Sequence, residues 1–304
     1  MPLTCLVTGS QGFLGKSFQK FHNFPFEKII WGTTSARPHQ SKAWRQFAPE
    51  YADIDAVLAS EKVDVIIHFA AIIPRSFSEA SFERHFLLNV QMMQHIARFS
   101  ARHGIKKVVY ISTFGSMRSP DQYDIQDYYT LGKITGEHIC SIMEAQGIET
   151  ASLRISSPYG EFNQSRTVLN LFLENALSGS PLQVYGTGSR SQNFLYAGDI
   201  VRAIECCVIN SVSGVYPLLG ETVTMKELAE TVLKATHSNS KILIGEKPDP
   251  QEGQMPVKLY SSRMRDELGF IPQVSLTEGL NNTLNWLKGN RLEDRVDLRS
   301  ACQQ

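Results

Sequence analysis

Three features of the sequence bring together residue types that can move protons and hold charge. Tyr129-Thr130-Leu131-Gly132-Lys133 sets a phenol and an ammonium at i and i+4, one turn apart on the same helical face. A free tyrosine titrates near ~10, and a lysine cation beside it favours the phenolate, so the pair can trade a proton with an alcohol. Thr113, just past the apolar run 108–112, carries a hydroxyl that can hydrogen-bond the same oxygen. Near the start of the chain, Gly9-Ser10-Gln11-Gly12-Phe13-Leu14-Gly15 follows a short β-branched run and opens a helical pattern. Glycines so placed permit a tight turn, backbone approach to a pyrophosphate and close helix-strand packing, while the helix amino end favours negative charge. Each signal is weak alone, since Tyr-x-x-x-Lys is common on surface helices and the chain has 21 glycines.

The elements that must position these groups alternate. Strand candidates at 4–8, 28–32, 65–69, 108–112 and 150–155 are separated by longer helical patterns, which is the signature of βαβ units and a helix-covered parallel sheet. Phe86, Val90, Met93, Ala97 and Ser100 keep helical spacing, and Gly104-Ile105 supplies a glycine stop that recurs at Gly147-Ile148. Past Pro158 the alternation breaks. A helix over Val168–Ser178, a hairpin over 182–196 and helices from Asp199 and Thr224 are expected there, forming a smaller lobe. The division read from the sequence is 1–160 with 195–220 for one domain and 161–194 with 221–290 for the other. Residues 291–304, charged and weakly patterned, read as a frayed tail.

Where such a fold binds NAD, an acidic residue ends the second strand and accepts from the ribose hydroxyls. Here that strand runs into Trp31-Gly32-Thr33-Thr34-Ser35-Ala36-Arg37. It offers no carboxylate. Thr34, Ser35 and Arg37 suit a 2′-phosphate better, so NADP is favoured over NAD, with a solvated loop arginine as the bland alternative.

Composition narrows the class. Thirty Lys and Arg balance thirty Asp and Glu, so there is no bulk positive field to draw nucleic acid or anionic lipid. The five cysteines, Cys5, Cys140, Cys206, Cys207 and Cys302, lack paired spacing and read as reduced thiols, and the eight histidines show no metal-ligand spacing. Leu3-Thr4-Cys5-Leu6-Val7 leads into the glycine turn with no basic run or cleavage site, so a cytoplasmic protein is expected. The longest apolar stretch, 63–73, carries Asp64 and His68 and is shorter than the ~20 residues of a spanning helix.

Taken in order, these motifs resemble those of the NAD-dependent epimerase/dehydratase family, the extended short-chain dehydrogenases. The resemblance covers residues 3–288. It rests on the glycine turn, Asp64-Val65-Ile66-Ile67-His68-Phe69-Ala70-Ala71, Asn89-Val90, Tyr110-Ile111-Ser112-Thr113 and the Tyr129/Lys133 pair. Further along come Leu153-Arg154, Pro158-Tyr159-Gly160, Tyr185-Gly186-Thr187-Gly188 and Glu267-Leu268-Gly269-Phe270. It implies a Rossmann-type doubly wound parallel sheet with a carboxyl-terminal substrate lobe, and a homodimer joined by helices over 89–102 and 129–146. Tyr129 would be the acid/base, Lys133 the ribose-binding and pKa-lowering group, and Thr113 a substrate hydrogen-bond donor. Gly9, Gln11, Gly12, Phe13, Leu14 and Gly15 would hold the pyrophosphate, and Phe69, Ala70, Ala71 and Asn89 would border the cofactor. Asp53-Ile54 resembles the family's adenine-contacting pair, although Asp53 could equally cap a helix.

The departures bear on substrate. Sugar 4,6-dehydratases of the family carry acidic residues directly after the threonine, where this chain has Phe114 and Gly115, so elimination of water is disfavoured. Nucleotide-sugar members grip the diphosphate with an Asn before Pro-Tyr-Gly and a later Arg. The corresponding residues are Ser157 and Gln192, with Arg190 two positions upstream as a replacement charge. The expected activity is hydride transfer at a secondary alcohol or ketone of a sugar-like substrate, a nucleotide-sugar among the candidates, by an epimerase or reductase with Tyr129 as acid/base. Net NADPH-dependent carbonyl reduction of a non-nucleotide substrate, or a non-catalytic dinucleotide sensor, are the alternatives.

Overall fold

The computed structural model describes residues 2–35, 43–74, 79, 82–116, 127–249, 252 and 262–301, the stretch 290–301 as backbone only. Along the chain come β1 (Thr4–Thr8), α1 (Phe13–Phe21), β2 (Lys28–Thr33), β3 (Trp44–Gln46), α2 (Ile54–Val57), β4 (Val65–His68), α3 (Glu83–His103) and β5 (Lys107–Thr113). After a 3-10 turn at Phe114–Ser116 follow α4 (Tyr128–Ala145), β6 (Glu149–Ile155), β7 (Ser157–Tyr159), α5 (Val168–Ser178), β8 (Leu182–Val184) and β9 (Ser191–Tyr196). The rest is α6 (Ala197–Ile209), β10 (Gly214–Leu218), β11 (Glu221–Thr224), α7 (Met225–Thr236), β12 (Ile242–Ile244), α8 (Ser262–Asp266) and α9 (Leu276–Ala301).

These elements pack as two compact units. The first comprises Met1–Ser156, Ile200–Leu218 and Leu259–Ile271, and the second Ser157–Asp199, Leu219–Lys258 and Pro272–Gln304. In the first, seven parallel strands lie in the order β10-β6-β5-β4-β1-β2-β3, a Rossmann-type doubly wound sheet whose order reverses at β1 and β4. The inner strands are apolar almost without interruption because helices cover both faces. Leu6, Ile30, Ile66 and Val108 meet Met93, Ile96, Phe99 and Met143 in one core. Fully burying such a side chain contributes about 1.5–3 kcal/mol.

The glycine stops read from the sequence end helices as expected. Gly104 takes φ +64° and Ile105 N–H bonds back to the Ser100 carbonyl at 3.1 Å. Gly147 and Ile148 repeat this closure against Met143, also at 3.1 Å. Each returns the chain into the next strand at a fixed register, so the carboxyl end of β5 falls where α4 can cover it. The division differs from the expected one in two ways: 157–160 and 195–199 fall in the second unit, and α8 belongs to the first, with Arg263 donating to the Val215 carbonyl of β10 at 2.9 Å. The sequence assigns 221–290 wholly to the other lobe, because nothing local signals that return.

In the second unit β9 lies between β7, parallel to it, and β11, antiparallel, while β8 pairs with β12 in parallel. The expected hairpin over 182–196 is therefore not formed. Its two strands enter different sheets, β8 taking β12 as partner and β9 taking β7 and β11, and Glu252 accepts from Thr187 N–H in the connecting turn at 2.7 Å. The helices start where hydroxyl caps predict. Thr167 caps α5, and Thr224 with Glu227 makes a complete capping box on α7. At the carboxyl end α9 continues to Ala301 through the segment expected to fray. No Gly or Pro interrupts it after Gly289.

Candidate active site

The glycine turn is built as a cradle. Gly9 has φ +65°, and a Cβ there would sit 2.6 Å from the Ala70 nitrogen; at Gly15 it would sit 2.4 Å from the Gly9 carbonyl oxygen. Only glycine lets α1, the turn and the end of β4 approach so closely. Ser10 fixes the turn by donating its hydroxyl to the Val7 carbonyl at 2.7 Å and the Gly32 carbonyl at 3.0 Å. Gly12 stands at the amino cap of α1 with no side-chain cap and no acidic residue in the first turn, so the dipole end at Phe13 and Leu14 is left without a neutralising charge from its own helix. This cradle, with half-buried Gln11 beside it, fits a dinucleotide pyrophosphate.

Beneath the cradle lies a polar tie that the sequence did not announce. The Thr8 hydroxyl accepts from Ala70 N–H at 3.3 Å and bonds His68 Nδ1 at 2.8 Å, joining the ends of β1 and β4. Burial, aided by the Lys133 cation, drives His68 down to about 3, so it is neutral. Asn89 braces the chain that follows β4. Its carbonyl accepts from Ile72 N–H at 2.8 Å, and its amide donates to the Ile72 and His85 carbonyls at 3.1 and 2.6 Å. That grip holds the segment after Ala70 and Ala71 in place, with Phe69 packed on Phe18 at 5.9 Å.

At the end of β2, Thr33 is buried and accepts from Ser35 N–H at 3.1 Å, while Thr34 and Ser35 are exposed. Arg37 lies outside the described residues. Asp53 occupies the amino-cap position of α2 but makes no side-chain cap; both its carboxylate oxygens stand 3.0 Å from Ala48 N–H. Ile54 is buried in the core.

The catalytic candidates converge on the carboxyl end of β5. Asp127 caps α4 by accepting from Thr130 N–H at 2.7 Å, which places Tyr129 in the first turn, half-buried. One turn on, Lys133 is buried, donates to the Ile111 carbonyl at 2.7 Å and lies 4.9 Å from the centre of the Tyr110 ring. Thr113, two residues beyond Ile111, accepts from Gly115 N–H at 3.3 Å. Small residues let α4 lie this close: a Cβ at Gly136 would meet the Tyr110 hydroxyl at 2.3 Å, and one at Gly132 would press on the His85 carbonyl at 3.3 Å.

Electrostatically the pair departs from the simple expectation. Burial first, and then the Asp127 carboxylate, push the Tyr129 phenol up to about 12. Burial brings Lys133 down to about 8, opposed by Glu137 and then Cys140. The ammonium is directed at the Ile111 carbonyl, so in this state Tyr129 is a protonated acid with no lowering by its neighbour.

Glu137 is the residue that sequence reasoning missed. It accepts from the Ser112 hydroxyl and takes a bidentate grip from Arg154, at 2.8 Å from Nε and 2.6 Å from Nη2. This pair, with Glu137 buried and Arg154 half-buried, clamps α4 to β5 and β6. The signal was available, since Glu137 extends the Tyr129/Lys133 face by one more i+4 step.

In the second unit, Ser157 begins β7 and Gln192 lies on β9, its amide donating to the Ser157 hydroxyl oxygen. Arg190 donates from Nη1 to the Gln192 carbonyl oxygen at 3.2 Å and from Nε to Asp249 at 2.6 Å. Arg190 and Gln192 thus share a side, as strand alternation predicts.

A hollow bordered by Lys28, Glu61, Asp64 and Lys106 lies at the opposite, amino ends of the strands. Its charges pair off, Lys28 with Glu61 and Lys106 with Asp64. Among the described residues no group of three or more His, Cys, Asp and Glu could hold a metal ion, and no helix is long and apolar enough to cross a membrane.

Known proteins with similar sequences or folds differ in reaction. A dTDP-glucose 4,6-dehydratase of Streptomyces niveus is 30% identical over 254 residues, spanning 78% of this chain and 73% of its own. A dTDP-4-dehydro-6-deoxyglucose reductase of Escherichia coli is 22% identical over 308 residues, spanning 93% and 97%. The crystal structure of a UDP-glucose 4-epimerase from Thermotoga maritima with UDP-glucose superposes with a TM-score of 0.80 at 20% identity, over 95% of this chain and 99% of that one. The profile of the NAD dependent epimerase/dehydratase family matches residues 5–217, which hold the glycine cradle, Thr113, Tyr129 and Lys133. The chain therefore belongs to the NAD-dependent epimerase/dehydratase family.

Proposed function

We propose that this protein transfers hydride to or from a secondary alcohol or ketone carbon of a sugar-like substrate, with Tyr129 as its acid/base. The observation that carries this reading is the convergence in one unit of the glycine cradle with Thr113, Tyr129 and Lys133. When bound, the dinucleotide supplies or accepts the hydride. The protein's own residues handle the oxygen. In the reducing direction the protonated Tyr129 phenol gives its proton to the developing alkoxide, and the Thr113 hydroxyl donates a hydrogen bond to the same oxygen. Lys133 orients the cofactor ribose and, once turned from the Ile111 carbonyl, favours the phenolate for the oxidising direction. Phe114 and Gly115 provide no carboxylate beside Thr113 for eliminating water, so 4,6-dehydration is disfavoured.

The exposed hydroxyls of Thr34 and Ser35, with Arg37, support NADP(H) over NAD(H). The second unit, with Ser157, Arg190 and Gln192, is assigned to substrate. The homodimer that the family resemblance implies would use α3 and α4, where Leu87 and Ile142 expose 50% and 59% of their surface. Mass spectrometry of nucleotide that co-purifies with the protein, followed by a screen of paired alcohols and ketones, tests the reading. Epimerisation with retained cofactor and net reduction with exchanged cofactor both agree with it. Absence of dinucleotide binding, or of any hydride transfer across the panel, contradicts it.

A further inference from the structure

Ser156 follows β6 directly and ends the segment Met1–Ser156 of the first unit, with only 8% of its surface exposed. Its hydroxyl has no hydrogen-bond partner among the described residues. Burying a hydroxyl unpaired is costly, so a group held in this way marks a place that another molecule completes.

The position of Ser156 says which molecule. β5 and β6 run parallel with Thr113 level with Ile155, so Ser156 stands at the carboxyl edge of the sheet, one residue beyond the pair that includes the substrate-binding threonine. Along that edge the strands follow the order β1, β4, β5, β6, about 4.8 Å apart. The glycine cradle that fits a pyrophosphate lies at the end of β1, and Ala70 and Ala71 follow β4. Lys133, the ribose group of the proposed function, bonds the Ile111 carbonyl of β5. All of these stations belong to the first unit. A dinucleotide laid along them from pyrophosphate to ribose arrives next, at the end of β6, with its nicotinamide. The ring carries one polar substituent, a carboxamide that both donates and accepts, and a hydroxyl can answer in either sense. The reacting oxygen of the substrate is already assigned to Tyr129 and Thr113.

We propose that the Ser156 hydroxyl binds the carboxamide of the nicotinamide ring and so anchors the reactive end of the dinucleotide beside Thr113. The inference rests on the hydride-transfer reading. Calorimetric titration of the full chain with the dinucleotide it prefers, and with the matching ADP-ribose fragment that lacks only the nicotinamide, tests it. Ser156→Ala should weaken the dinucleotide by about tenfold and leave the fragment within about twofold. The melting temperature of the variant without ligand should not fall, because the substitution removes an unpaired hydroxyl and little packing. Ser156→Cys, whose thiol is a weak donor of similar size, should show the same selective loss and serves if the alanine variant fails to fold.

Equal losses for dinucleotide and fragment, or no loss for either, would overturn the inference. So would a raised KM for substrate with dinucleotide affinity unchanged, which would give Ser156 to the substrate instead. A wild type that binds no dinucleotide contradicts the hydride-transfer reading and this inference with it. A wild type that binds dinucleotide, matched by Ser156→Ala, contradicts the role of Ser156 alone.

Discussion

Lys133→Met should make the protein more resistant to unfolding at neutral pH while disabling it. The ammonium is 3% exposed, and its pKa falls from an ordinary 10.5 to about 8 because burial outweighs the help of Glu137. At about 1.4 kcal/mol per unit, holding this lysine charged costs the folded state about 3 kcal/mol relative to the unfolded chain. The sign follows from proton counts. Between pH 8 and 10.5 the unfolded chain binds more protons at this site than the native protein, so stability rises with pH across that window and the penalty is complete below it. From pH 7 to about pH 9.5, about 2 kcal/mol is recovered. Buried cysteines and tyrosines oppose this trend at high pH, but they are common to both proteins, so the difference between wild type and variant isolates Lys133. Urea unfolding of both at the two pH values measures it. The advantage of the variant should shrink by about 2 kcal/mol at the higher pH. An advantage that stays constant within ~0.5 kcal/mol would refute the claim that this lysine is held charged at a cost.

Other outcomes follow from the same geometry. Glu137→Gln leaves the half-buried Arg154 facing a neutral amide and should cost about 2–3 kcal/mol in urea unfolding, whereas a loss under ~1 kcal/mol would show that the clamp on α4 is incidental. Ser35→Asp places a carboxylate at the end of β2, where it can accept from ribose hydroxyls and repel a 2′-phosphate. Fluorescence titration should show preference moving toward NAD(H) by about tenfold or more, and an unchanged ratio would mean this loop does not read the phosphate.

The parallel sheet was legible because its signals are local. A β-branched run, a glycine turn and a helix-Gly-Ile stop each declare one βαβ unit, and five of the strands lie within a residue or so of the expected positions. Tyr129 and Lys133 were legible for the same reason, since four residues on a helix fix a shared face. What escaped depends on partners far along the chain. The hairpin expected over 182–196 fails because β8 and β9 find their partners in β12, β7 and β11, and Asp249 reaches Arg190 across 59 residues. The tie of Asn89 to Ile72 and His85 escaped as well, because nothing in the local sequence announces it. The Tyr129 pKa is a property of burial and of Asp127, and spacing alone pointed the other way.

The most direct test of the central claim is turnover of Tyr129→Phe, followed by reduced-nicotinamide absorbance on the best alcohol and ketone pair from the wild-type screen, with dinucleotide affinity titrated in parallel. Only the proton-transferring hydroxyl is removed, so kcat should fall by about a hundredfold or more while the dinucleotide Kd stays within about twofold. Turnover retained at the wild-type rate, with dinucleotide still bound, would show that the proton passes elsewhere and that Tyr129 is not the acid/base of this site.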